Sequence, residues 1–341
     1  MKKIVISLLT ALLIGIIIIS ITNIDTTKAA TTTLADKVIS LAGSCTSWES
    51  GFSGVCKTND HEYRYVGANV NNWVSFNNDM YQIIGVFDSN STGVSGNLVK
   101  LIRARSIGGY SWGATNTASA YTTYSTCNNN WETASANILL NEYFLNATNT
   151  SSTYGLCSDW TYYYGDNNYK TKDCSKIIGY GIQTETLRNY IQPVTWYLKG
   201  YDSNSYSKQN FYTCERSDAT TIENCTSGNY GANATKVTNK SIGLMYASDY
   251  MYASGYYAST DTTTGSAYYY GQQNWLFNGY EWTITPHASS SNNAFLVYAG
   301  GFFGENHNSV PGAIRPTFYL KSAIIIKSGD GTFANPFVIG L

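Results

Sequence analysis

Charge is scarce in this sequence. Asp, Glu, Lys and Arg together make up 13% of the 341 residues, which is about half the usual share. Basic and acidic residues nearly balance, at 21 and 22. Such a balance attracts neither phosphate backbones nor anionic lipid, so we expect no nucleic-acid partner. The surface must therefore be built largely from hydroxyl, amide and phenol groups.

Metal-ligand patterns are missing as well. The three histidines, His61, His287 and His307, are scattered along the chain, and no Cys-x-x-Cys pair occurs. Structural zinc depends on closely spaced His and Cys ligands, and calcium depends on oxygen-rich motifs, which are also absent. The sequence therefore predicts no bound metal and no other cofactor.

A catalytic constellation is hard to assemble from these residues. A nucleophile needs a base and a third group that orients the base. The candidates are His287, a nearby serine, and Asp249 or Glu281. Acidic residues are few and none lies in a recognisable motif, although distant carboxylates can converge in space. We expect a protein that is not an enzyme, with a secreted carbohydrate-active or cell-wall hydrolase as the alternative.

One long apolar run is present, from Ile4 to Ile21. It follows two lysines and precedes small residues ending at Ala29, which is the layout of a secretory signal peptide over residues 1–29. At 18 residues the run is about the shortest that spans a hydrocarbon core, so an uncleaved anchor is the alternative. We expect the remaining chain to be secreted or extracellular at the cell surface, with membrane contact only through this segment.

Seven cysteines in an exported chain predict disulfides. Local pairing favours Cys45 with Cys56, Cys157 with Cys174, and Cys214 with Cys225. Each pair closes a short loop and stabilises the fold by about 3 kcal/mol when unstrained. Cys127 is left over, either as a free thiol or exchanging with the nearest pair.

Tyrosine is abundant, with 30 residues, and Asn, Ser, Thr and Gly accompany it. This mixture is typical of antibody binding loops, because Tyr offers rigid amphipathic contact while small polar residues adapt their hydrogen bonds. A second explanation is that Tyr and Thr simply favour β-strands. Both explanations are compatible with a β-rich extracellular protein.

Hydrophobic alternation bounded by turn residues predicts mainly antiparallel strands, the first three forming a meander. The predicted strands are 72–76, 81–87, 98–104, 194–200, 241–246, 281–285, 294–299, 313–321 and a terminal segment within 329–339. The predicted helices are 34–41, 132–145, 184–191 and a short turn capped by Ser248. The fold class is therefore α+β, mainly antiparallel β-sheet with a few short helices and long loops.

The domain organisation follows from these elements. Residues 30–62 form an N-terminal lead-in with a helix and a disulfide loop, and residues 63–341 form a single α+β domain. Loops 146–175, 201–239 and 254–274 are long, and they carry cysteines and aromatics. Loops of this length are uncommon unless they are functional or disordered. Their content indicates ordered, functional loops.

Several residues are predicted to have structural roles. Trp73 begins an alternating pattern that is typical of a core-facing strand, and Trp282 lies in a comparable strand. Glu215 and Arg216 are expected to link elements through charged hydrogen bonds. Arg315 lies in an apolar segment before a proline, and a charge there demands a partner. We expect a partly buried ion pair at Arg315.

Five different sequence blocks of this chain resemble blocks in known proteins. The blocks are Asn72-Trp73-Val74-x-Phe76-Asn77-Asn78, Ile242-Gly243-Leu244-Met245-Tyr246-x-Ser248-Asp249-Tyr250, Trp282-Thr283-x-x-Pro286, Arg315-Pro316-x-Phe318-Tyr319-Leu320-Lys321 and Ser328-Gly329-x-Gly331-Thr332-x-x-Asn335-Pro336-Phe337. Over about residues 63–341 the chain resembles an uncharacterised family of secreted or surface proteins of Gram-positive gut bacteria. More distantly, the Trp-rich end followed by an Arg-Pro strand resembles C-type-lectin-like domains. That resemblance implies a lectin-like architecture. The calcium-binding triplets of those lectins are absent here, so their calcium-dependent sugar site is not expected.

The stretch from Gly279 to Ser309 is the main candidate binding surface. If residues 295–299 and 315–320 belong to one sheet, the 286–293 loop lies beside a loop over residues 300–309. The residues brought to one end of the domain are then His287, Asn292, Asn293, Phe302, Phe303, Asn306 and His307. The alternative is that both phenylalanines plug the core. A second candidate is the loop containing Tyr162, Tyr163 and Tyr164.

These observations predict an exported, non-catalytic recognition or adhesion protein. Aromatic faces, amides and little charge suit a neutral glycan or a protein epitope as its extracellular ligand. If the N-terminal run stays attached, a structural surface-layer or pilus-associated component is a further alternative.

Overall fold

A computed structural model describes residues 32–43, 52–58, 62–113, 129–148, 161–162, 170–171, 175–202, 207–216, 225, 235–255 and 270–341. The part of the chain from Thr33 to Leu341 forms one compact unit. Several predictions lie outside the described residues. These are the signal segment, Cys45, Cys127, the Cys157–Cys174 pair and the side chains of Tyr162, Tyr163 and Tyr164.

The described elements are mostly short strands. The strands are β1 (Ala42–Gly43), β2 (Gly54–Lys57), β3 (Tyr63–Val66), β4 (Trp73–Phe76), β5 (Asp79–Phe87), β6 (Leu98–Arg103), β7 (Gly109–Ser111), β8 (Thr161–Tyr162), β9 (Lys170–Thr171), β10 (Ile191–Gln192), β11 (Val194–Tyr197), β12 (Lys236–Lys240), β13 (Ile242–Gly243), β14 (Glu281–Pro286), β15 (Asn293–Val297), β16 (Phe303–His307), β17 (Pro311–Ala313), β18 (Thr317–Leu320), β19 (Ile325–Ser328) and β20 (Phe337–Gly340). Helices are fewer. They are α1 (Leu34–Ser40), α2 (Ser89–Thr92), α3 (Ser135–Ile138), which continues as a π-helix over Leu139–Phe144, α4 (Ser175–Tyr180), α5 (Glu185–Arg188), α6 (Lys208–Cys214) and α7 (Ala247–Ala253). The predicted α+β class is confirmed.

Two sheets dominate the described residues. The larger sheet runs β1-β2-β3-β5-β4-β20-β19, and β6 extends it from β5 to β18, which also pairs with β10 and β13. The smaller sheet runs β16-β15-β14-β17-β7. The strands β11 and β12 form a separate antiparallel pair, as do β8 and β9. Pairing is antiparallel except between β1 and β2, β4 and β20, and β14 and β17.

The predicted meander is confirmed and has a local cause. Strands β4 and β5 pair from Trp73 opposite Gln82 to Phe76 opposite Asp79. The two residues between them, Asn77 and Asn78, have φ angles of 56° and 57°. Two-residue hairpins favour a turn with positive φ at both central positions, and Asn tolerates that conformation. The backbone conformation of these two asparagines therefore sets the register between β4 and β5.

The chain passes from one sheet to the other at two neighbouring places. Residues 104–108 lead from β6 to β7, and residues 314–316 lead from β17 to β18. The two crossings are hydrogen-bonded to each other, because Ile107 N donates to Ile314 O at 2.9 Å and Ile314 N donates to Gly108 O at 3.0 Å. The prediction of one continuous strand over 313–321 is wrong, since Pro316 has no N–H and restricts the residue before it. Arg315 consequently lies at the junction of the sheets.

The helix α7 is buried along its whole length between elements of both sheets. All seven of its residues are buried, and it contacts α6, β3 and β14. The predicted cap at Ser248 is wrong, because Tyr246 occupies the N-cap position and its N–H donates to Asp249 Oδ2 at 2.8 Å. A carboxylate at the third helical position that accepts from the N-cap is a capping box.

Two expectations about the last third of the chain are wrong. Residues 300–309 do not form a loop, because β16 pairs with β15 from Phe303 opposite Val297 to His307 opposite Asn293. In addition, β15 and β18 belong to different sheets. The second error follows from the sheet crossing at Arg315, which removes β18 from the neighbourhood of β15. The first follows from the low strand propensity of the residues in β16.

Covalent and membrane features complete the fold. Cys214 and Cys225 form a disulfide with a Cα–Cα distance of 5.2 Å, as predicted. Cys56 is also disulfide-bonded. Among the helices that the structure describes, none is long and apolar enough to cross a membrane.

Candidate ligand-binding cleft

The residues predicted to share one end of the domain are divided between the two ends of the β15–β16 hairpin. Asn293 and His307 face each other at one end, whereas Val297 and Phe303 face each other at the other. Four residue steps separate these pairs, roughly 14 Å at ~3.4 Å per residue. The predicted grouping is therefore wrong for Phe302 and Phe303. Phe303 is buried and stacks on Phe295, so the core alternative holds for Phe303 but not for Phe302, which is 40% exposed.

His287 links its loop to the neighbouring strand. Its Nε2 lies 2.7 Å from Glu305 Oε2 and 3.9 Å from Asp202 Oδ1, and its Nδ1 lies 3.3 Å from the backbone N of Ser289. The hydrogen bond from His287, together with their Coulomb attraction, lowers the pKa of Glu305 against the opposing effect of burial. Nε2 therefore holds the loop to β16, whereas Nδ1 accepts from the backbone of the loop itself.

The other polar residues at this end of the hairpin also bind the protein itself. The side-chain amide of Asn129 donates to the carbonyls of His287, Ser290 and Asn293 at 2.8–3.0 Å. Asn306 Nδ2 donates to Tyr280 Oη at 2.9 Å. Further contacts join His307 to Ser309 and Ser291 to Asn292. This end of the domain is a rigid, internally bonded turn.

One serine-hydrolase pattern occurs in the chain, at Gly109-Tyr110-Ser111-Trp112-Gly113. In hydrolases this pattern places the serine on a sharp turn between a strand and a helix, with an exposed hydroxyl. Here Ser111 is the last residue of β7, is buried, and donates from Oγ to Ser309 O at 2.8 Å. Among the described residues, bends rather than a helix follow it at Trp112 and Gly113. The motif therefore lacks the geometry of a nucleophile.

A group of buried charges, here called the core charge network, joins distant parts of the chain. Arg64 in β3 donates from Nη1 to Asp249 at 2.7 Å and from Nη2 to Glu62 at 2.9 Å. Lys100 in β6 lies 2.5 Å from the other oxygen of Asp249, and Arg216 lies 3.2 Å from Glu62. All five side chains are at most 2% exposed.

Aromatic rings surround the cations of the core charge network. Lys100 Nζ lies 4.3 Å from the ring centre of Tyr246 and 5.2 Å from that of Trp196. The Arg216 guanidinium lies 4.0 Å from the ring centre of Tyr212. Cations over aromatic faces gain further attraction when water is excluded. The network is thus closed on all sides by protein.

Burial and pairing shift the titration of these groups in opposite directions. Burial would raise the pKa of Asp249, but Lys100 and Arg64 outweigh it and hold that pKa at about 2. Burial lowers the pKa of Lys100 to about 8, against the opposing effect of Asp249. The neighbouring Glu215 has weaker partners, Thr285 Oγ1 at 2.5 Å and Ser248 N at 3.3 Å. Burial consequently raises its pKa to about 7.

Arg315 forms a second buried ion pair, with Glu281 in β14. Arg315 Nε donates to Glu281 Oε1 at 2.7 Å, and Nη2 donates to Leu276 O at 2.6 Å. Both side chains are at most 2% exposed. The ion pair predicted at Arg315 is therefore present. Burial raises the pKa of Glu281, and Arg315 partly offsets this effect.

A cleft of about 400 Å³ lies beside Arg315, at the junction of the two sheets. Its volume falls in the range of small-molecule sites, roughly 300–1,000 Å³. It is lined by Ala68, Asn69, Val70, Trp73, Gln82, Ala104, Trp275, Phe277, Asn278 and Arg315. Aromatic and amide side chains predominate in this set. We call this feature the junction cleft.

The aromatic walls of the junction cleft are held in place from behind. Trp275 donates from Nε1 to Tyr65 O at 2.8 Å. The Trp73 ring packs edge-on against Phe333, with ring centres 4.9 Å apart. Trp73 itself is only half-buried, because the strand alternation that buries Val74 directs Trp73 to the opposite face. The predicted core role of Trp73 is therefore wrong, and its ring forms a wall of the cleft.

Amide groups in the junction cleft keep hydrogen-bonding capacity. Gln82 donates from Nε2 to Asn72 Oδ1 at 3.2 Å. Among the described residues, its carbonyl oxygen has no hydrogen-bond partner, and neither do the side-chain amides of Asn69 and Asn278. Both asparagines are exposed. These groups could donate to or accept from a bound molecule without breaking an internal contact.

The β15–β16 turn reaches the rim of the junction cleft. A Cβ added at Gly301 would lie 3.7 Å from Phe277 Cε2. Phe302, the next residue, is 40% exposed and stacks on Tyr298 with ring centres 4.5 Å apart. Phe302 therefore follows directly after a residue that lies close to the cleft lining.

Comparison with protein families, curated proteins and solved structures returned no match for this chain. Among the described residues, no group of three or more His, Cys, Asp or Glu side chains is placed to hold a metal ion.

Sequence reasoning missed most of the residues that form the junction cleft. The available signal was Asn274-Trp275-Leu276-Phe277-Asn278, a short run that alternates amides with large apolar residues. Such a run mixes stacking surfaces with hydrogen-bonding groups. The side chain of Asn274 fixes this segment by donating to Tyr250 O and Tyr270 O at 2.8 Å and 2.6 Å.

Proposed function

We propose that this chain is an exported recognition protein that binds a glycan in the junction cleft. The observation that carries the proposal is the cleft composition, in which half-buried tryptophans stand beside amides that have no internal partner. Sugar rings present apolar faces for stacking and hydroxyls for hydrogen bonding, which this combination matches. The signal-like sequence of residues 1–29 supports export, and a C-type-lectin-like architecture is the form we propose for the fold.

A hydrolase has less support than a recognition protein. The hydroxyl of Ser111 is buried and engaged by a backbone carbonyl. The ring of His287 makes contacts through both nitrogens, with Glu305 and with the Ser289 backbone. A general base must reach the proton that it abstracts. Among the described residues, no hydrogen bond joins these two side chains, and neither residue lines the junction cleft.

The test compares exposed aromatic residues in an immobilised-glycan binding assay with the exported protein. Phe277 is 37% exposed and lines the cleft, whereas Tyr180 is 42% exposed and is not among the lining residues. We expect Phe277→Ala to weaken binding about tenfold, since loss of a stacking ring costs up to ~1.5 kcal/mol. Tyr180→Ala is the matched control and is expected to bind like the unmodified protein.

The alternative location is tested in the same assay with Asn292→Ala, at the other end of the hairpin. If Asn292→Ala weakens binding and Phe277→Ala does not, the ligand binds at the His287 end and the cleft assignment is wrong. Absence of binding to every immobilised glycan would contradict the glycan-binding function itself.

A further inference from the structure

The lining of the junction cleft contains one cation, Arg315. Its hydrogen bonds within the protein do not use every nitrogen of the guanidinium. Arg315 donates from Nε to Glu281 and from Nη2 to Leu276 O. Its remaining nitrogen, Nη1, has no hydrogen-bond partner among the described residues, and it is not one of the fully enclosed unpartnered atoms. Arg315 also lines the cleft, so Nη1 is the donor of its guanidinium that a bound molecule would use.

The rest of the cleft lining carries no charge. Its other members are alanine, valine, aromatic and amide residues. Arg315 is 2% exposed, so water screens its charge poorly. A single anionic group on an otherwise uncharged ligand is the complement of this arrangement.

We propose that the junction cleft binds an acidic sugar, a hexuronic or sialic acid, whose carboxylate accepts a hydrogen bond from Arg315 Nη1. The sugar ring contacts Trp73 and Trp275, and its hydroxyls meet the free amides of Asn69 and Asn278. This inference rests on the proposed glycan-binding function and specifies the class of sugar. Hydrogen bonds between a guanidinium and a carboxylate are among the stronger ones in proteins.

Glu281 does not prevent a second carboxylate from binding to the same guanidinium. Arg64 in the core charge network already contacts two carboxylates, Asp249 through Nη1 and Glu62 through Nη2. A guanidinium has five N–H donors in a planar fork, which is enough for partners on separate edges. In Arg315 the carboxylate of Glu281 uses Nε, so Nη1 remains for the ligand.

The test measures binding of methyl glucuronide, its methyl ester and methyl sialoside to the exported protein, by the fluorescence of tryptophan. The ester keeps the sugar ring and removes the charge. We expect the two acids to bind at least tenfold more tightly than the ester, because only the acids carry the carboxylate that pairs with the guanidinium. Equal affinities for the glucuronide and its ester would overturn the inference and leave the glycan-binding function standing.

A double variant, Arg315→Gln with Glu281→Gln, removes the cation without leaving an unpaired buried charge. We expect it to lose the preference for the acids while still binding the ester. Its thermal melt reports folding, and the comparison of acid with ester on the unmodified protein is decisive if the variant does not fold.

Two further results would contradict the inference in different ways. If none of these three sugars binds, the acidic-sugar inference fails, and the immobilised-glycan assay decides whether the proposed function fails with it. If the dipeptide D-alanyl-D-alanine binds and neither acidic sugar does, the Arg315 carboxylate site belongs to a peptide ligand and the sugar assignment is wrong.

Discussion

The core charge network and the Arg315–Glu281 pair are built from the same groups but differ in how completely the protein surrounds them. In the network, the two carboxylates Glu62 and Asp249 are shared among three cations, and aromatic rings cover the remaining faces. At Arg315, one nitrogen is left beside the junction cleft.

This difference separates a structural role from a binding role. A buried ion pair contributes little net stability, since desolvation offsets attraction, but removal of one partner is costly. The network therefore ties β3, β6 and α7 to one arrangement. The side chains of Arg315 and Glu281 are as buried as those of the network. A ligand in the cleft could nevertheless form the hydrogen bond that the Arg315 guanidinium lacks.

The largest expected effect is in the core charge network. Asp249→Asn removes the carboxylate that pairs with both Lys100 and Arg64. We expect a loss of about 3–5 kcal/mol in the free energy of unfolding. Asp79→Asn is the matched control, because Asp79 pairs with Arg103 and is 26% exposed. That change is expected to cost about 1 kcal/mol or less. Urea unfolding measures both, and similar losses would contradict the distinction.

A second effect concerns Glu215, whose pKa burial raises from 4.5 to about 7. Between these pH values the unfolded chain has lost the proton and the folded protein retains it, so stability falls as pH rises through this window and is level above it. Glu215→Gln removes this dependence. We compare the free energy of unfolding of the variant with that of the unmodified protein. We expect this difference to shift in favour of the variant by about 3 kcal/mol from pH 4 to pH 8.

Urea unfolding of the variant and the unmodified protein at both pH values measures this gain. A constant difference between the two proteins would show that Glu215 titrates normally.

The smallest expected effect is at the cleft. Glu281→Gln removes the negative charge beside Arg315 Nε, but an amide oxygen can still accept there, and the guanidinium keeps Leu276 O and can be hydrated through Nη1. We expect a loss of about 1–2 kcal/mol, less than for Asp249→Asn, because the remaining charge is not fully desolvated. Thermal unfolding of the two variants side by side checks the order. A loss equal to that of Asp249→Asn would mean that the cleft does not admit water to Arg315.

Local signals in the sequence predicted much of the fold. The Asn77-Asn78 turn and its flanking alternating residues specify the first hairpin, since only a few residue types accept positive φ. The Cys214–Cys225 bond was predictable from short spacing. By contrast, β16 contains Gly304, Glu305 and Asn306, which have low strand propensity. Its pairing with β15 comes from the tertiary structure, so local reading misassigned it as a loop.

The candidate site shows the same division. A charge at Arg315 in an apolar segment required a partner, but Glu281 is 34 residues away and many carboxylates could have served. The cleft combines Trp73 and Gln82 from the first hairpin with Trp275 and Phe277 from a segment about 200 residues later. Sequence patterns describe each stretch separately, and they hold no information on which stretches meet.

The sequence by itself determined the low charge, the α+β class, the first meander and the need for a partner at Arg315, because these depend on composition and on near neighbours in the chain. Only the tertiary structure decided that Trp73 forms a cleft wall, that Phe302 and His287 lie at opposite ends of a hairpin, and that Arg315 keeps a nitrogen at the cleft. The physical reason is that the chain crosses between two sheets beside Arg315. A crossing brings together surfaces from distant residues, and the rows of alternating side chains that a sequence reveals do not show where the crossing occurs.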